Sequence, residues 1–435
     1  MSKQRVTLFW HRRDLRLSDN AGAFEALKHG ENVLPIFIFD RHILDKLEDK
    51  ADRRVTFIHQ NIERIKSELE EINSSIRVFH GKPKEVFEQL LEDYEVEAVY
   101  TNRDYEPYAK TRDEAIAELL AEKDIDFHTF KDQCIFEKDE VTKKDGGWYS
   151  VFSPYAKRWK DEITGYYLKS YANEDYFDNY FKCNPFDLPS LESMGFEAKT
   201  DHIPKAEVEK DILKNYHETR DIPSIKGTTR ISMHLRFGTV SIRKLARLGF
   251  EHNEKWLNEL IWRDFYMMIL HYNPQVVDTA FKPKYDNVEW RNNEKEFEKW
   301  CKGETGYPIV DAGMRELNNT GFMHNRVRMI TASFLVKHLL VDWRWGEAYF
   351  AKKLNDFELS SNNGGWQWAA SSGCDAAPYF RVFNPELQTK KFDPDLKYIK
   401  KWVPEYEELA YQQKKVVDHK FARERVLETY KKALN

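Results

Sequence analysis

The sequence predicts an α/β N-terminal domain built on a doubly wound parallel sheet, followed by an all-α C-terminal domain. Three observations carry this. Over the first 130 residues, short apolar runs alternate with amphipathic stretches, the pattern of strand, helix, strand. After residue 206 strand signals nearly vanish, and long charged and aromatic stretches with helical spacing run to the end. The chain of 435 residues, 41% of them hydrophobic, exceeds one typical core and can bury two.

Val6 to Trp10, Val33 to Phe39, Ile76 to Phe79 and Ala98 to Thr101 read as buried strands of residues 1–130. Between the second and third, Val55, Ile58, Ile62, Ile65, Leu69 and Ile72 recur at gaps of three and four, one apolar helical stripe. No glycine-rich dinucleotide fingerprint follows Trp10, which argues against an NAD-type site there. Residues 131–205, with Lys143-Lys144-Asp145-Gly146-Gly147 and a polar, aromatic stretch from Asn173 to Phe186, read as a long interdomain connection. Residues 206–435 read as the helical domain.

The formal charge of −5 argues mildly against nucleic acid, whose phosphates need lysine and arginine. Local clusters can override the total: Arg158 with Lys160, Lys226 with Arg230, Arg236 with Arg243, Lys244 and Arg247, and Lys397 with Lys400 and Lys401. Each alone is more often a solvated face. The aromatic load of 14%, with 12 Trp, favours stacking on bases or a flat cofactor. The four cysteines are scattered without metal spacing, which suits a reduced setting and no metal site. With no membrane-length apolar run and no signal-peptide core, a cytoplasmic protein is expected.

Four segments concentrate chemistry. From Asn355 to Pro385, the step Asp356-Phe357-Glu358 precedes Asn362-Asn363-Gly364-Gly365-Trp366-Gln367-Trp368, where glycines beside asparagines suggest left-handed backbone close to a ligand. Between Trp256 and Tyr266, helical spacing puts Trp256, Glu259, Trp262, Arg263 and Tyr266 on one face, which core packing alone could also explain. In Met323 to Met329, Asn325 and Met329 lie one turn apart beside Arg326; a helical Met is more often core than site. Tyr216, Arg220 and Gly227-Thr228-Thr229-Arg230-Ile231-Ser232 offer hydroxyls and main-chain donors before a helical run, the pattern of an N-cap or of a pyrophosphate site.

Together these segments, with the opening Trp10-His11-Arg12-Arg13-Asp14-Leu15-Arg16-Leu17-Ser18-Asp19-Asn20, resemble the DNA photolyase and cryptochrome family, nearest to class I cyclobutane pyrimidine dimer photolyases. The resemblance implies FAD, held by Tyr216, Thr228, Thr229, Arg230, Ile231, Ser232, Trp256, Arg328, Asp356, Phe357 and Glu358, with Asn362 facing flavin N5. It implies lesion contacts from Glu259, Trp262, Asn325 and Met329, and DNA contacts from Arg220, Arg263, Arg326 and Trp368. Trp366, Trp343 and Trp300 match an electron-transfer row leading from the surface to the flavin. Two departures stand out: Glu358 occupies a place where the family commonly has aspartate, and Tyr108-Ala109 replace the Asn-Glu of folate-binding relatives. An antenna chromophore, if one binds, is therefore expected to be a deazaflavin or a flavin before a folate.

The implied activity is blue-light-driven repair of cyclobutane pyrimidine dimers in UV-damaged DNA, by electron transfer from reduced FAD to a flipped-out dimer. The alternative is a cryptochrome, a photoreceptor that signals through protein partners. Retention of Glu259, Trp262, Asn325 and Met329 favours repair. A monomer that does not engage membranes is expected.

Overall fold

The computed structural model describes residues 3–412 and 415–435. The chain forms two compact units, each assembled from three segments. The first comprises Met1–Glu137, Ile163–Glu207 and Ile231–Leu248; the second comprises Lys138–Glu162, Val208–Arg230 and Gly249–Asn435. The stretch 131–205 thus contributes to both units.

In the first unit, β1 (Gln4–His11), β2 (Val33–Asp40), β3 (Arg77–Gly81), β4 (Tyr94–Asn102) and β5 (Asp126–Phe130) form one parallel sheet of order β3-β2-β1-β4-β5. Alternation along β2 divides its side chains between two cores. Val33, Phe37 and Phe39 join Ala26 of α1 (Ala21–His29) and Val55, Ile62, Ile65 and Leu69 of α2 (Arg53–Glu70). Leu34, Ile36 and Ile38 join Phe87 of α3 (Pro83–Asp93) and Ile116 of α4 (Pro107–Ala121). Burial on both faces is why β1 and β2 read as continuous apolar runs. The expected stripe lies on α2, except that Ile72 falls in the turn beyond it. The fifth strand escaped the sequence reading because Asp126-Phe127-His128-Thr129-Phe130 is a half-exposed edge with no buried run.

The strand order reverses beside β1, where a doubly wound sheet ordinarily receives a nucleotide phosphate at a helix N-terminus. Here the chain fills that place itself. The amides of Ala21, Gly22 and Ala23 donate to Asp132 Oδ1 at 3.1 Å, Asn102 Oδ1 at 2.9 Å and Asn20 Oδ1 at 3.1 Å. Asp132 also accepts from Arg16 at 2.6 Å and from Arg243 at 2.8 Å, and Arg243 reaches Asp19 at 2.7 Å. Arg243 and Arg236, read from sequence as part of a basic patch, are therefore spent on acids, Arg236 on Glu106 at 3.2 Å. Buried guanidiniums need such partners.

Asp14 lies at the centre of this polar cluster. Burial works against its charge, yet bonds from the His11 ring, the Arg12 amide and the Asn102 side chain hold its pKa at about 2 against an ordinary 3.8. A depressed carboxylate stabilises the fold fully above its unfolded pKa and loses that contribution as pH falls through the folded value. Asp14→Asn should cost about 2 kcal/mol in urea denaturation at pH 7. The deficit should shrink as the pH is lowered from 3.8 toward about 2; a deficit that stays constant over that window would refute the assignment.

Candidate functional site

In the second unit, helix α7 (Glu254–Tyr272) starts where the Asn253 side chain accepts from the amides of Lys255 at 3.0 Å and Trp256 at 3.2 Å. Leu257, Leu260, Ile261 and Phe265 enter the core, while Glu259, Trp262 and Tyr266 stay partly accessible one turn apart. Of the five residues expected on one face, these three are accessible, while Trp256 and Arg263 are buried. Trp262 is clamped, with Phe152 of α5 (Phe152–Glu162) stacked on it at 3.7 Å between ring centres and Tyr266 at 5.4 Å. Phe152 carries no motif, and sequence reasoning missed it.

The Glu259 carboxylate accepts from Arg220 Nη1, and the Arg220 guanidinium lies 5.2 Å from the ring centre of Tyr216, on α6 (Lys210–Thr219). Burial pushes the Glu259 pKa up, Arg220 opposes it, and Asp221 adds to it. Yet the Glu259 side chain is 33% exposed. The carboxyl is thus desolvated by its surroundings and still reached by solvent.

Arg263 does not fit the DNA contact expected of it. It is 8% exposed and donates to Glu358 Oε1 at 2.9 Å, with Ser361 Oγ donating to the other carboxylate oxygen at 3.2 Å. DNA phosphates need accessible cations, and this one is buried in an ion pair. Glu358 precedes α12 (Leu359–Ala370), which contains the whole Asn362 to Trp368 motif. Its glycines are helical and neither Gly364 nor Gly365 has a left-handed φ, contrary to the turn read from sequence. Gly364 is needed for contact instead: a Cβ there would lie 2.2 Å from the Tyr266 ring. Asn362 donates from Nδ2 to Glu347 Oε1 at 2.7 Å, which turns its amide oxygen the other way. Arg328 Nη2 reaches both oxygens of Asp356 at 3.1 and 2.9 Å, and Phe357 between the two acids packs on the core.

On α10 (Asn325–Ser333), Asn325 is exposed, Met329 is half-buried, and Arg326 donates to Asp221 at 2.8 Å and lies 3.7 Å from the Met329 sulfur. His324 caps this helix by accepting from the Arg326 amide at 3.2 Å. Trp368 lies 6.3 Å from Phe383, ring centre to ring centre. In the 228–232 segment, Thr229 Oγ1 accepts from the Trp256 indole at 3.3 Å and Arg230 adopts φ 51°. The helix that follows begins with no side-chain cap bond, so these hydroxyls are not used as caps. Ile231 and Ser232 group with the first unit, whereas Thr228 to Arg230 belong to the second. Two buried polar atoms of the second unit, Asn258 Oδ1 and Ser360 Oγ, have no protein partner, which a polar ligand could supply. Ser360 lines a small cavity with Tyr266, Asn363 and Cys374.

Trp300, Trp343 and Trp366 are 0%, 2% and 2% exposed, so none is the surface member the expected row starts from. Trp300 and Trp366 sit 6.0 Å apart, ring centre to ring centre, with Phe350 4.9 Å from Trp366. Trp290, missed in the sequence reading, is half-buried and packs on the same core. The residues after it are tied to the segment that precedes Trp343: the Arg291 amide donates to Leu340 O at 2.8 Å and the Asp342 amide to Asn292 Oδ1 at 2.8 Å. Among the described residues no group of side chains is arranged to hold a metal ion, and no helix is long and apolar enough to cross a membrane. Gly346, on α11 (Trp343–Lys353), leaves room for Trp366, since a Cβ would lie 2.1 Å from its ring. Gly346→Ala should cost about 1–3 kcal/mol by overpacking and shift Trp fluorescence; an unchanged denaturation midpoint would show that the ring moves freely.

Residues 7–173 match the DNA photolyase family, and residues 256–425 match the FAD binding domain of DNA photolyase. A deoxyribodipyrimidine photo-lyase of Alkalihalophilus pseudofirmus is 39% identical, over 91% of this chain and 86% of that one. A bacterial class III photolyase from Agrobacterium tumefaciens superposes with a TM-score of 0.86 at 30% identity, covering 100% of this chain and 98% of that one. An archaeal photolyase from Sulfolobus tokodaii, solved with two FAD molecules, superposes with a TM-score of 0.83 at 34% identity, covering 98% and 100%. The chain therefore belongs to the DNA photolyase family, as an enzyme of the deoxyribodipyrimidine photo-lyase kind.

Proposed function

We propose that this enzyme repairs cyclobutane pyrimidine dimers in UV-damaged DNA, using FAD bound in the helical unit. The observation that carries the reading is Glu259 and the clamped Trp262 on one accessible face of α7, with the acid desolvated by its surroundings. When bound and reduced, FAD would supply the light-driven one-electron chemistry that opens the cyclobutane ring with no net redox change. The protein residues position and exclude. Trp262 offers a rigid flat surface to the extruded bases, and Met329 a soft one, with Asn325 beside it at the rim. Arg220, Arg326 and Trp368 contact the DNA strand without reading its sequence. Asn258 and Ser360 offer unsatisfied polar atoms to the cofactor, beside Trp256, Tyr216, Thr228 and Thr229. Arg328 with Asp356, and Glu347 with Asn362, fix a charge and an amide orientation that would serve a bound flavin. Trp366, Trp343 and Trp300 relay electrons inward, and the exposure of Trp290 suits it to the outer end.

A second chromophore in the sheet unit would be a deazaflavin or a flavin; the Sulfolobus tokodaii relative carries a second FAD. Tyr108, where folate binders have Asn, donates its hydroxyl to Asp40 Oδ2 at 2.5 Å and is committed to that contact. A cytoplasmic monomer is the working form we favour.

Purified, reduced protein should restore dimer-bearing oligonucleotides under blue light and not in the dark. Light-independent turnover would overturn the proposal, and damage recognition without repair would favour a photoreceptor. Glu259→Ala should lower repair about tenfold, the scale of one hydrogen bond, while flavin content holds. Loss of flavin instead would place Glu259 at the cofactor. In Trp366→Phe, photoreduction of the oxidised protein should slow severalfold while chemically prereduced enzyme still repairs; an unchanged rate would remove Trp366 from the relay.

A further inference from the structure

Both arginines offered to the DNA strand are already tied to acids. Arg326 holds Asp221 at 2.8 Å, and Arg220, next in sequence to Asp221, holds Glu259. The two pairs differ in consequence, because Glu259 is itself a residue that meets the lesion. As a carboxylate it can only accept hydrogen bonds, whereas the edge of a pyrimidine presents an N–H donor beside a carbonyl acceptor. A neutral carboxyl, with one O–H and one C=O, matches that edge; a carboxylate locked to a guanidinium does not.

We infer that Arg220 is an exchangeable counter-ion, neutralising Glu259 in the free protein and passing to a DNA phosphate when damaged DNA binds. Glu259 is thereby left to take one proton from solvent and meet the base pair as donor and acceptor at once. This rests on the repair reading above.

The geometry provides for the transfer. Arg220 is 25% exposed and engages Glu259 through Nη1, so the rest of its fork can meet an arriving phosphate before the first bond breaks. Its guanidinium rests over the Tyr216 ring, a face across which it can slide without losing contact. The groups facing Glu259 are Arg220 and Asp221 from the loop after α6, Tyr216 on α6, and Tyr266 on its own helix. Only Arg220 among them is cationic, and Asp221 is a like charge held by Arg326. Once Arg220 leaves, burial and Asp221 both favour the neutral acid, and an incoming phosphate adds a further like charge.

Calorimetry of the flavin-loaded protein in the dark, in two buffers of different ionisation heat at pH 7, counts protons taken up on binding. An oligonucleotide with a single thymine dimer should bring net uptake, and its undamaged counterpart none. Glu259→Gln should still bind the dimer but lose the uptake. In Arg220→Gln, titrated at DNA concentrations that saturate its weaker binding, Glu259 lacks its counter-ion beforehand, so the uptake per bound dimer should fall. Preferential dimer binding by wild type with no uptake, or full uptake in either variant, would overturn the exchange and leave the repair reading intact. Equal affinity for dimer and undamaged DNA would overturn both.

Discussion

The arrangement of the second unit depends on one buried ion pair, Arg263 with Glu358. Each residue sits one helical turn from a site residue on its own segment: Glu259 precedes Arg263 by four positions, and the Asn362 amide donates to the Glu358 carbonyl at 2.9 Å. The pair therefore locks the helix bearing the acid and indole to the helix bearing the amide and Trp366. Two ions taken from water are costly, and removing one partner of such a pair typically costs about 3–5 kcal/mol because the other is left uncompensated. Ser361 completes the accounting on the carboxylate side. Glu358 is thus tied to Arg263.

Around that lock, packing leaves little slack where the site needs order. Trp262 is held between Phe152 and Tyr266, and Tyr266 against Gly364, so a change of one methyl group at Gly364 would pass along the stack to the indole. Accessible groups remain where exchange is needed: Arg220, Glu259, Asn325 and Met329 all keep contact with solvent. Rigid aromatics beside replaceable polar contacts is the arrangement expected of a pocket that must receive bulky, flat material.

Much of the fold was legible because its signals are local. Four of the five strands, and the stripe of α2, follow from periodicity within a dozen or so residues. The Asn362 to Gly365 motif misled because propensity yields to tertiary contact. Asn363 Nδ2 donates to Val276 O at 2.9 Å, Gln367 to the same carbonyl at 2.9 Å, and Gly364 accommodates Tyr266, so the helix is enforced by partners far along the chain. Charge misled for the same reason. Arg243 reads as surface until Asp19, more than two hundred residues away, is brought to it, and Arg263 until Glu358 is. The face of α7 was readable from helical spacing; Phe152, which clamps it, carries no spacing to read.

The amides at the start of α1 are satisfied by Asp132, Asn102 and Asn20, residues of the chain itself. Where a dinucleotide enzyme leaves those groups for its coenzyme to complete, this sheet closes its own circuit, and no accessory dye is needed to satisfy them.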